Sequence, residues 1–169
     1  CPMGKDSFGP VVIHEGGGHG FGRLLDEYRY SAAELPNDDK NAIKSWSSKD
    51  PYYGYNLDLT GDRNKVHWAH YFDRPGYEAV SMYEGGSLYE YGVWRPEYIS
   101  CMEDNRPYYN APSREAIVRR IMRASGKTFN MEDFISKDKI RSEKGAPQTR
   151  TDYVTEAFVP FAPPIRVER

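Results

Sequence analysis

Residues 14–22 decide how this chain folds around its most unusual feature, a run of glycines between two histidines. They read His14-Glu15-Gly16-Gly17-Gly18-His19-Gly20-Phe21-Gly22. On a regular helix, which turns about 100° per residue, side chains five residues apart point about 140° away from each other. Two rings so far apart cannot bind one ion. If the two histidines act together, the spacing therefore predicts a locally widened turn, a π-bulge.

The residue types in this stretch match the needs of a zinc hydrolase. Such a site has neutral imidazole ligands, a third nitrogen or oxygen ligand, an open position for water and a carboxylate that accepts a proton. His14 and His19 supply the imidazoles, and Glu15 supplies the carboxylate. Each glycine between them costs a helix about 0.8–1 kcal/mol relative to alanine, which favours a functional site over a packed core.

Two other interpretations of the glycine run are a flexible loop and a phosphate-binding loop. The chain contains no G-x-x-x-x-G-K-[ST] motif and no suitably spaced G-x-G-x-x-G motif. A flexible loop leaves the two histidines and Glu15 without an explanation. The metal-site interpretation is therefore favoured.

An acidic pair that follows the glycines offers the third ligand. In zinc peptidases with a glycine three residues after the second histidine, the helix ends there and the chain turns back toward the metal. Gly22 occupies that position. Asp26 is the first candidate and Glu27 is its rival, because a one-residue shift in the turn changes which carboxylate faces the ion. The alternative is that both carboxylates lie on a solvated turn.

The composition indicates one domain with a small, aromatic-rich core. The chain has 169 residues, 38% of them apolar, with a mean hydropathy of −0.80 and 14 tyrosines. Its net charge of −2 provides no positive field for nucleic acid, and no apolar run reaches the roughly 18–20 residues of a membrane span. We expect a catalytic domain at residues 1–145 and an extended tail or linker at residues 146–169. Cys1 and Cys101 form either one disulfide or two buried thiols.

Periodicity and capping residues predict four helices. The first runs from Val11 to about Tyr30 and is entered through Gly9-Pro10, and the second begins at residues 36–39 and ends at Asp50-Pro51. Residues 52–110 are rich in aromatic residues, glycine and proline, which predicts loops and short elements. A third helix begins at residues 112–113 with Ile117, Val118, Ile121 and Met122 on its packing face and ends at Gly126, and residues 130–133 cap a fourth.

The segment from His14 to Tyr28, with its H-E-x-x-x-H motif, resembles the bacterial immunoglobulin A peptidase family, family sixty-four of the metallopeptidases. Further blocks that resemble this family lie at residues 64–71, 82–86, 92–96 and 110–117. Together these blocks extend over roughly residues 8–140. A resemblance over so much of the chain is specific.

The resemblance implies an α+β, metzincin-like catalytic domain that is mainly helical and loop-rich in the region present. It implies that Met102 forms a methionine turn beneath the zinc, that the upstream sheet lies outside this chain, and that the protein is secreted or held at a bacterial cell surface. The predicted activity is a zinc-dependent endopeptidase that cleaves extracellular proteins. Zn²⁺ is held by His14, His19 and Asp26, and Glu15 activates the zinc-bound water. The alternative is a non-catalytic, peptidase-like module that binds a host protein or glycan.

Four further residues are weaker candidates for a substrate cleft. His70 could stabilise an oxyanion, but a core or surface histidine is the more ordinary interpretation. Glu84 could contact a substrate amine or a metal ligand, although a buried structural carboxylate explains it equally well. Tyr91 and Tyr98 flank the expected methionine turn and could donate a hydrogen bond to a tetrahedral intermediate.

Overall fold

The two histidines lie on one continuous helical rod whose second half is a π-helix. In the computed structural model, which describes residues 5–106 and 108–138, helix α1 (Lys5–Val12) runs directly into a π-helix (Ile13–Gly22). The widened turn predicted from the histidine spacing is confirmed. The helix predicted from Val11 to about Tyr30 was wrong at both ends, because the rod begins at Lys5 and stops at Gly22.

The chain leaves the rod at Arg23, which has a left-handed backbone with φ 56°. Beyond this point the backbone groups that would continue a helix are bonded to distant segments. The Arg23 carbonyl accepts a hydrogen bond from the Gly54 N–H (2.8 Å), and the Glu27 N–H donates to the Met102 carbonyl (2.7 Å). Tertiary hydrogen bonds therefore replace the helical ones, and residues 23–28 form an extended turn.

The turn leads into the first strand of a three-stranded sheet. It has the order β1-β3-β2, in which β1 (Arg29–Glu34) is parallel to β3 (Leu88–Arg95) and β2 (Tyr83–Gly86) forms an antiparallel hairpin with β3. Residues 52–110 otherwise consist of loops and short elements, as predicted. Strand β1 was not predicted, because its pairing with β3 spans more than fifty residues of sequence and leaves no local pattern.

The other predicted helices are confirmed. Helix α2 spans Asn37–Lys49. A further helix of a single turn, α3 (Cys101–Asp104), was not predicted. Helices α4 (Ala111–Ala124) and α5 (Met131–Lys137) both begin at an asparagine whose side chain accepts a backbone N–H. The predicted packing face of α4 was wrong in part, because Ile121 is 48% exposed and residues 111–116 are the buried ones.

The core consists of three apolar clusters in the described part of the chain. The largest is rich in aromatic residues, as the composition predicted, and includes Trp68, Tyr71 and Tyr77. A second, smaller cluster contains Leu24, Met102 and Ala116 and lies against the π-helix. This second cluster supports the histidines from the inside of the molecule.

The described residues therefore form a mixed α+β fold of five α-helices, a π-helix and a three-stranded sheet. None of these helices is long and apolar enough to cross a membrane. Cys101 is buried. Cys1, the predicted boundary at residue 145 and the predicted tail lie outside the described residues.

Candidate metal centre

Three side chains from the π-helix and the turn after it converge on one point. The Nε2 atoms of His14 and His19 lie 3.2 Å apart, and each lies 3.0 Å from Oδ1 of Asp26. The three residues are the one group of potential metal ligands found among the described residues. A regular helix would point His14 and His19, five residues apart, in different directions. The π-helix instead brings residues five apart onto the same face, so the two rings meet.

The second nitrogen of each ring is bonded to a backbone carbonyl. His14 Nδ1 lies 2.7 Å from the Cys101 carbonyl oxygen, and His19 Nδ1 lies 2.8 Å from the Leu24 carbonyl oxygen. A carbonyl can only accept, so each Nδ1 must carry the hydrogen. In a neutral imidazole the Nε2 atom then has an unprotonated lone pair. Both histidines thus direct lone pairs at the point that Asp26 also faces.

Three acceptors so close together need a positive charge between them. A proton or a metal ion can supply this charge, and the direction in which the pKa of His19 is shifted agrees with a site that attracts a cation. Burial lowers the pKa of His19, but the hydrogen bond and charge of Asp26, together with the Leu24 carbonyl and the charge of Glu15, outweigh burial and raise it above 6.5. Burial likewise raises the pKa of Asp26, but its hydrogen bonds with His14 and His19 outweigh that effect and lower it to about 2.

The geometry of the three atoms fits zinc. With bonds of about 2.0–2.1 Å, two ligands of a tetrahedral zinc ion lie about 3.3 Å apart. The observed separations of 3.0–3.2 Å require only small outward movements. The side chains of His19 and Asp26 are 32% and 23% exposed, whereas that of His14 is 5% exposed. The group is therefore closed on the inside and open on one side, as a catalytic site requires.

Glu15 provides a solvated carboxylate close in sequence to the three ligand residues. It follows His14 directly and is exposed. Its negative charge contributes to the raised pKa values of both His19 and Tyr28, so its carboxylate acts on the electrostatics of this group. A solvated carboxylate beside an open ligand position is suited to accept a proton from an attacking water.

Tyr28 is a residue of this site that the sequence did not single out. Its ring stacks near His14 with centroids 6.3 Å apart, and its hydroxyl forms a hydrogen bond with the Asp26 carboxylate. Burial and then the charge of Asp26 raise the pKa of Tyr28, so its hydroxyl remains a donor at neutral pH. The two tyrosines chosen from the sequence lie elsewhere: Tyr91 is on β3, and the ring of Tyr98 meets that of Tyr83 edge-on. The sequence signal that could have identified Tyr28 was its position two residues after Asp26.

Glu27, the rival third ligand, faces away from the histidines. Its side chain is fully buried and accepts hydrogen bonds from Asn56, Ser100 and Asn110. Burial is the main cause that raises its pKa to about 7, although the three hydrogen bonds oppose this rise. Of the two adjacent carboxylates, that of Asp26 lies beside the two histidines and that of Glu27 does not.

Met102 packs beneath the π-helix, and its role as a methionine turn below a zinc ion stays a prediction. It is fully buried, and a side chain added at Gly18 would collide with its Sδ and Cε atoms. The residue before it, Cys101, provides the carbonyl that orients His14. The single turn of α3 thus packs against the π-helix through Met102 and orients His14 through the Cys101 carbonyl.

The two remaining candidates have other partners. His70 Nε2 lies 2.9 Å from Oε2 of the buried Glu115, and its ring packs on Tyr71. Glu84 is exposed and accepts a hydrogen bond from the Gly92 N–H (3.0 Å), so its interpretation as a buried carboxylate was wrong. The contacts of the described residues do not connect either side chain with His14, His19 or Asp26.

Comparison with models of known protein families found no match, and comparison with curated proteins found no significant similarity. The family resemblance of the motif therefore stays a prediction. The case for a function depends on the geometry of the three ligand residues and Glu15.

Proposed function

We propose that this protein is a zinc-dependent endopeptidase. The observation that carries the proposal is the convergence of two imidazole lone pairs and one carboxylate oxygen within 3.0–3.2 Å of one another. The donor set of two nitrogens and one oxygen is suited to a catalytic zinc, and it leaves the fourth position open. Glu15 supplies the additional carboxylate that a hydrolytic reaction needs.

The roles of the residues follow from their positions. His14, His19 and Asp26 would hold the ion, which when bound polarises a peptide carbonyl and acidifies water. Glu15 accepts the proton of the attacking water and passes it to the leaving amine. The Nδ1 bonds to Cys101 and Leu24 keep both rings in the orientation that binding requires.

The motif resemblance supports an extracellular protein or peptide as the substrate and a secreted or cell-surface location. It is also the reason to prefer peptide bonds over the ester or amide bonds of small molecules. A protein that binds zinc but cuts no polypeptide would instead be the non-catalytic binding module.

Metal content tests the ligand assignment. We expect about one zinc per chain, measured by plasma mass spectrometry on protein purified without nickel, and loss of this zinc in His14→Ala. The matched control is His67→Ala, which removes an exposed histidine outside the group and should keep the metal. A parent chain that stays metal-free after zinc is added back would refute the site.

Cleavage tests the role of Glu15. Glu15→Gln should retain zinc but lose hydrolysis of an unfolded protein substrate by about 100-fold or more, because the general base is absent. Glu132→Gln removes an exposed carboxylate on α5 and should cleave at the parental rate. Equal cleavage by the Glu15→Gln variant and the parent would exclude Glu15 as the base.

A further inference from the structure

We propose that Glu27 is the positioning residue of the metal centre, whose buried carboxylate ties the segment carrying Asp26 to the turn that orients His14. This inference rests on the proposed metal site. It assigns Glu27 no contact with metal or substrate. Its role is to hold two ligands of that site in one arrangement.

The carboxylate of Glu27 is fully buried and held by three neutral donors. Its Oε1 accepts hydrogen bonds from Asn56 Nδ2 and Asn110 Nδ2, both at 2.7 Å, and its Oε2 accepts one from Ser100 Oγ at 2.8 Å. No ion pair of the described residues includes Glu27, although the charge of Arg95 favours its ionised form. A carboxylate buried without a salt-bridge partner is expensive, so three aligned donors around it indicate a site where orientation matters more than stability.

The first connection joins Glu27 to the turn beneath His14. Ser100 Oγ donates to Glu27 and also accepts the Met102 N–H (3.1 Å). The Glu27 N–H donates to the Met102 carbonyl (2.7 Å). Glu27 thus bonds this turn through its backbone and its side chain. The Cys101 carbonyl that receives His14 Nδ1 lies between these two attachment points.

The second connection fixes Asp26 from the other side. Asn56 accepts the Leu25 N–H (3.0 Å) and donates to the Leu25 carbonyl (2.8 Å) as well as to Glu27. Leu25 and Glu27 are the two neighbours of Asp26, and one asparagine bonds to both. The ligand between them therefore has little freedom to rotate its backbone.

The third connection reaches the helix that packs on the site. Asn110 donates to Glu27 and accepts the Ser113 N–H (3.0 Å), which caps α4. Ala116 of α4 packs against Leu24 and Met102. Glu27 thus joins the ligand turn to α3 and to the start of α4, both of which are distant from that turn in sequence.

Glu27→Gln is the direct test, because it keeps the shape of the side chain but replaces one acceptor oxygen with a donor. The new amide N–H group would point at the N–H or O–H group of Asn56, Asn110 or Ser100, and at least one hydrogen bond would be lost. We expect zinc affinity, measured by competition with a chelator, to fall by about 10–100-fold. We also expect a changed visible absorption spectrum of the Co²⁺-substituted protein, because this spectrum reports ligand geometry and not overall stability. Ser100→Ala should also lower the zinc affinity and change the Co²⁺ spectrum, but by a smaller amount.

The matched control is Glu97→Gln. Glu97 is also buried, and it accepts hydrogen bonds from the Ala111 N–H (2.9 Å) and the Tyr108 hydroxyl (2.7 Å) without touching the ligand turn. Its zinc affinity should stay within about twofold of the parent, since its partners do not include the ligand segments.

Parental zinc affinity and an unchanged cobalt spectrum in Glu27→Gln would overturn the inference. Equal losses in Glu27→Gln and Glu97→Gln would overturn it as well, because any buried carboxylate would then have the same effect. If Glu27→Gln does not fold, as judged by near-ultraviolet circular dichroism, Ser100→Ala decides by the same criteria. A parent chain that binds no zinc would refute the proposed function itself, and this result is read before any variant is compared.

Discussion

The hydrogen-bond partners of the ring nitrogens decide which nitrogen of His14 and of His19 can bind a metal ion. Each Nδ1 is paired with a backbone carbonyl, which can neither take up nor release a proton. The hydrogen on Nδ1 is thus fixed, and only Nε2 can exchange a proton for a metal ion. Asp26 raises the affinity of this point for any cation, because its pKa of about 2 keeps it charged at physiological pH.

Zinc binding should therefore depend on pH near neutrality. A raised pKa means that His19 keeps its proton to higher pH, so zinc must displace this proton in the range just below and around the pKa. The dissociation constant for zinc should rise as the pH falls from 8 to 6, by up to about tenfold per unit once His19 is protonated. Chelator competition at several pH values measures this, and calorimetry in two buffers counts the released proton. A dissociation constant that does not change over this range would contradict the assignment of His19 as a ligand.

At the scale of elements, the π-helix is held at both ends by α4 and the segment before it. The Tyr109 hydroxyl donates to the Ile13 carbonyl (2.5 Å), and Arg120 Nε donates to the Gly22 carbonyl (3.0 Å). These carbonyls lie at the two limits of the π-helix. External donors at both ends compensate for an element that is rare and intrinsically poor in stability.

The glycines of the π-helix should differ in their tolerance of a side chain. A methyl group at Gly18 would collide with Met102, whereas a methyl group at Gly16 would meet no atom within 4 Å. Gly18→Ala should lower the free energy of unfolding by about 1–3 kcal/mol through overpacking, and it should weaken zinc binding by displacing the helix. Gly16→Ala is the matched control and should be neutral or slightly stabilising. The interpretation fails if urea denaturation gives the two variants equal stability.

At the scale of the whole molecule, a buried ion pair connects the end of α5 to α4 and to the loop region. Arg114 donates two hydrogen bonds to Asp138, at 2.9 and 2.8 Å, and the Tyr77 hydroxyl donates to the same carboxylate (2.9 Å). Both charged side chains are less than 10% exposed. Removal of either partner leaves a buried charge without compensation.

Asp138→Ala should therefore destabilise the fold by about 3–5 kcal/mol. Lys137→Ala, one residue earlier, breaks an exposed ion pair with Asp133 and should leave the free energy of unfolding nearly unchanged. Urea unfolding followed by tryptophan fluorescence compares the two variants. Similar midpoints would show that the pair between Arg114 and Asp138 does not contribute to stability.

The sequence by itself determined the features that depend on neighbouring residues. The five-residue histidine spacing and the glycines between them predicted the widened turn, since helix periodicity acts within a few residues. The same holds for the start of α5, where the predicted cap Asn130 accepts the N–H of a residue three positions later. The start of α4 was predicted within two residues, although its cap, Asn110, was not. The aromatic core followed from composition, whereas the α+β class was expected only from the resemblance of the motif.

Only the tertiary structure decided the features that depend on distant partners. Asp26 and Glu27 are adjacent acids, and the choice between them comes from where Asn56, Ser100 and Asn110 lie. Strand β1 is defined by its pairing with β3, a contact between segments distant in sequence. Tyr28 also depends on tertiary structure. Because the helical rod ends at Gly22, the chain beyond it turns, and the Tyr28 hydroxyl bonds to Asp26. Local backbone preferences are small for these segments, and the buried hydrogen bonds supplied by remote residues outweigh them.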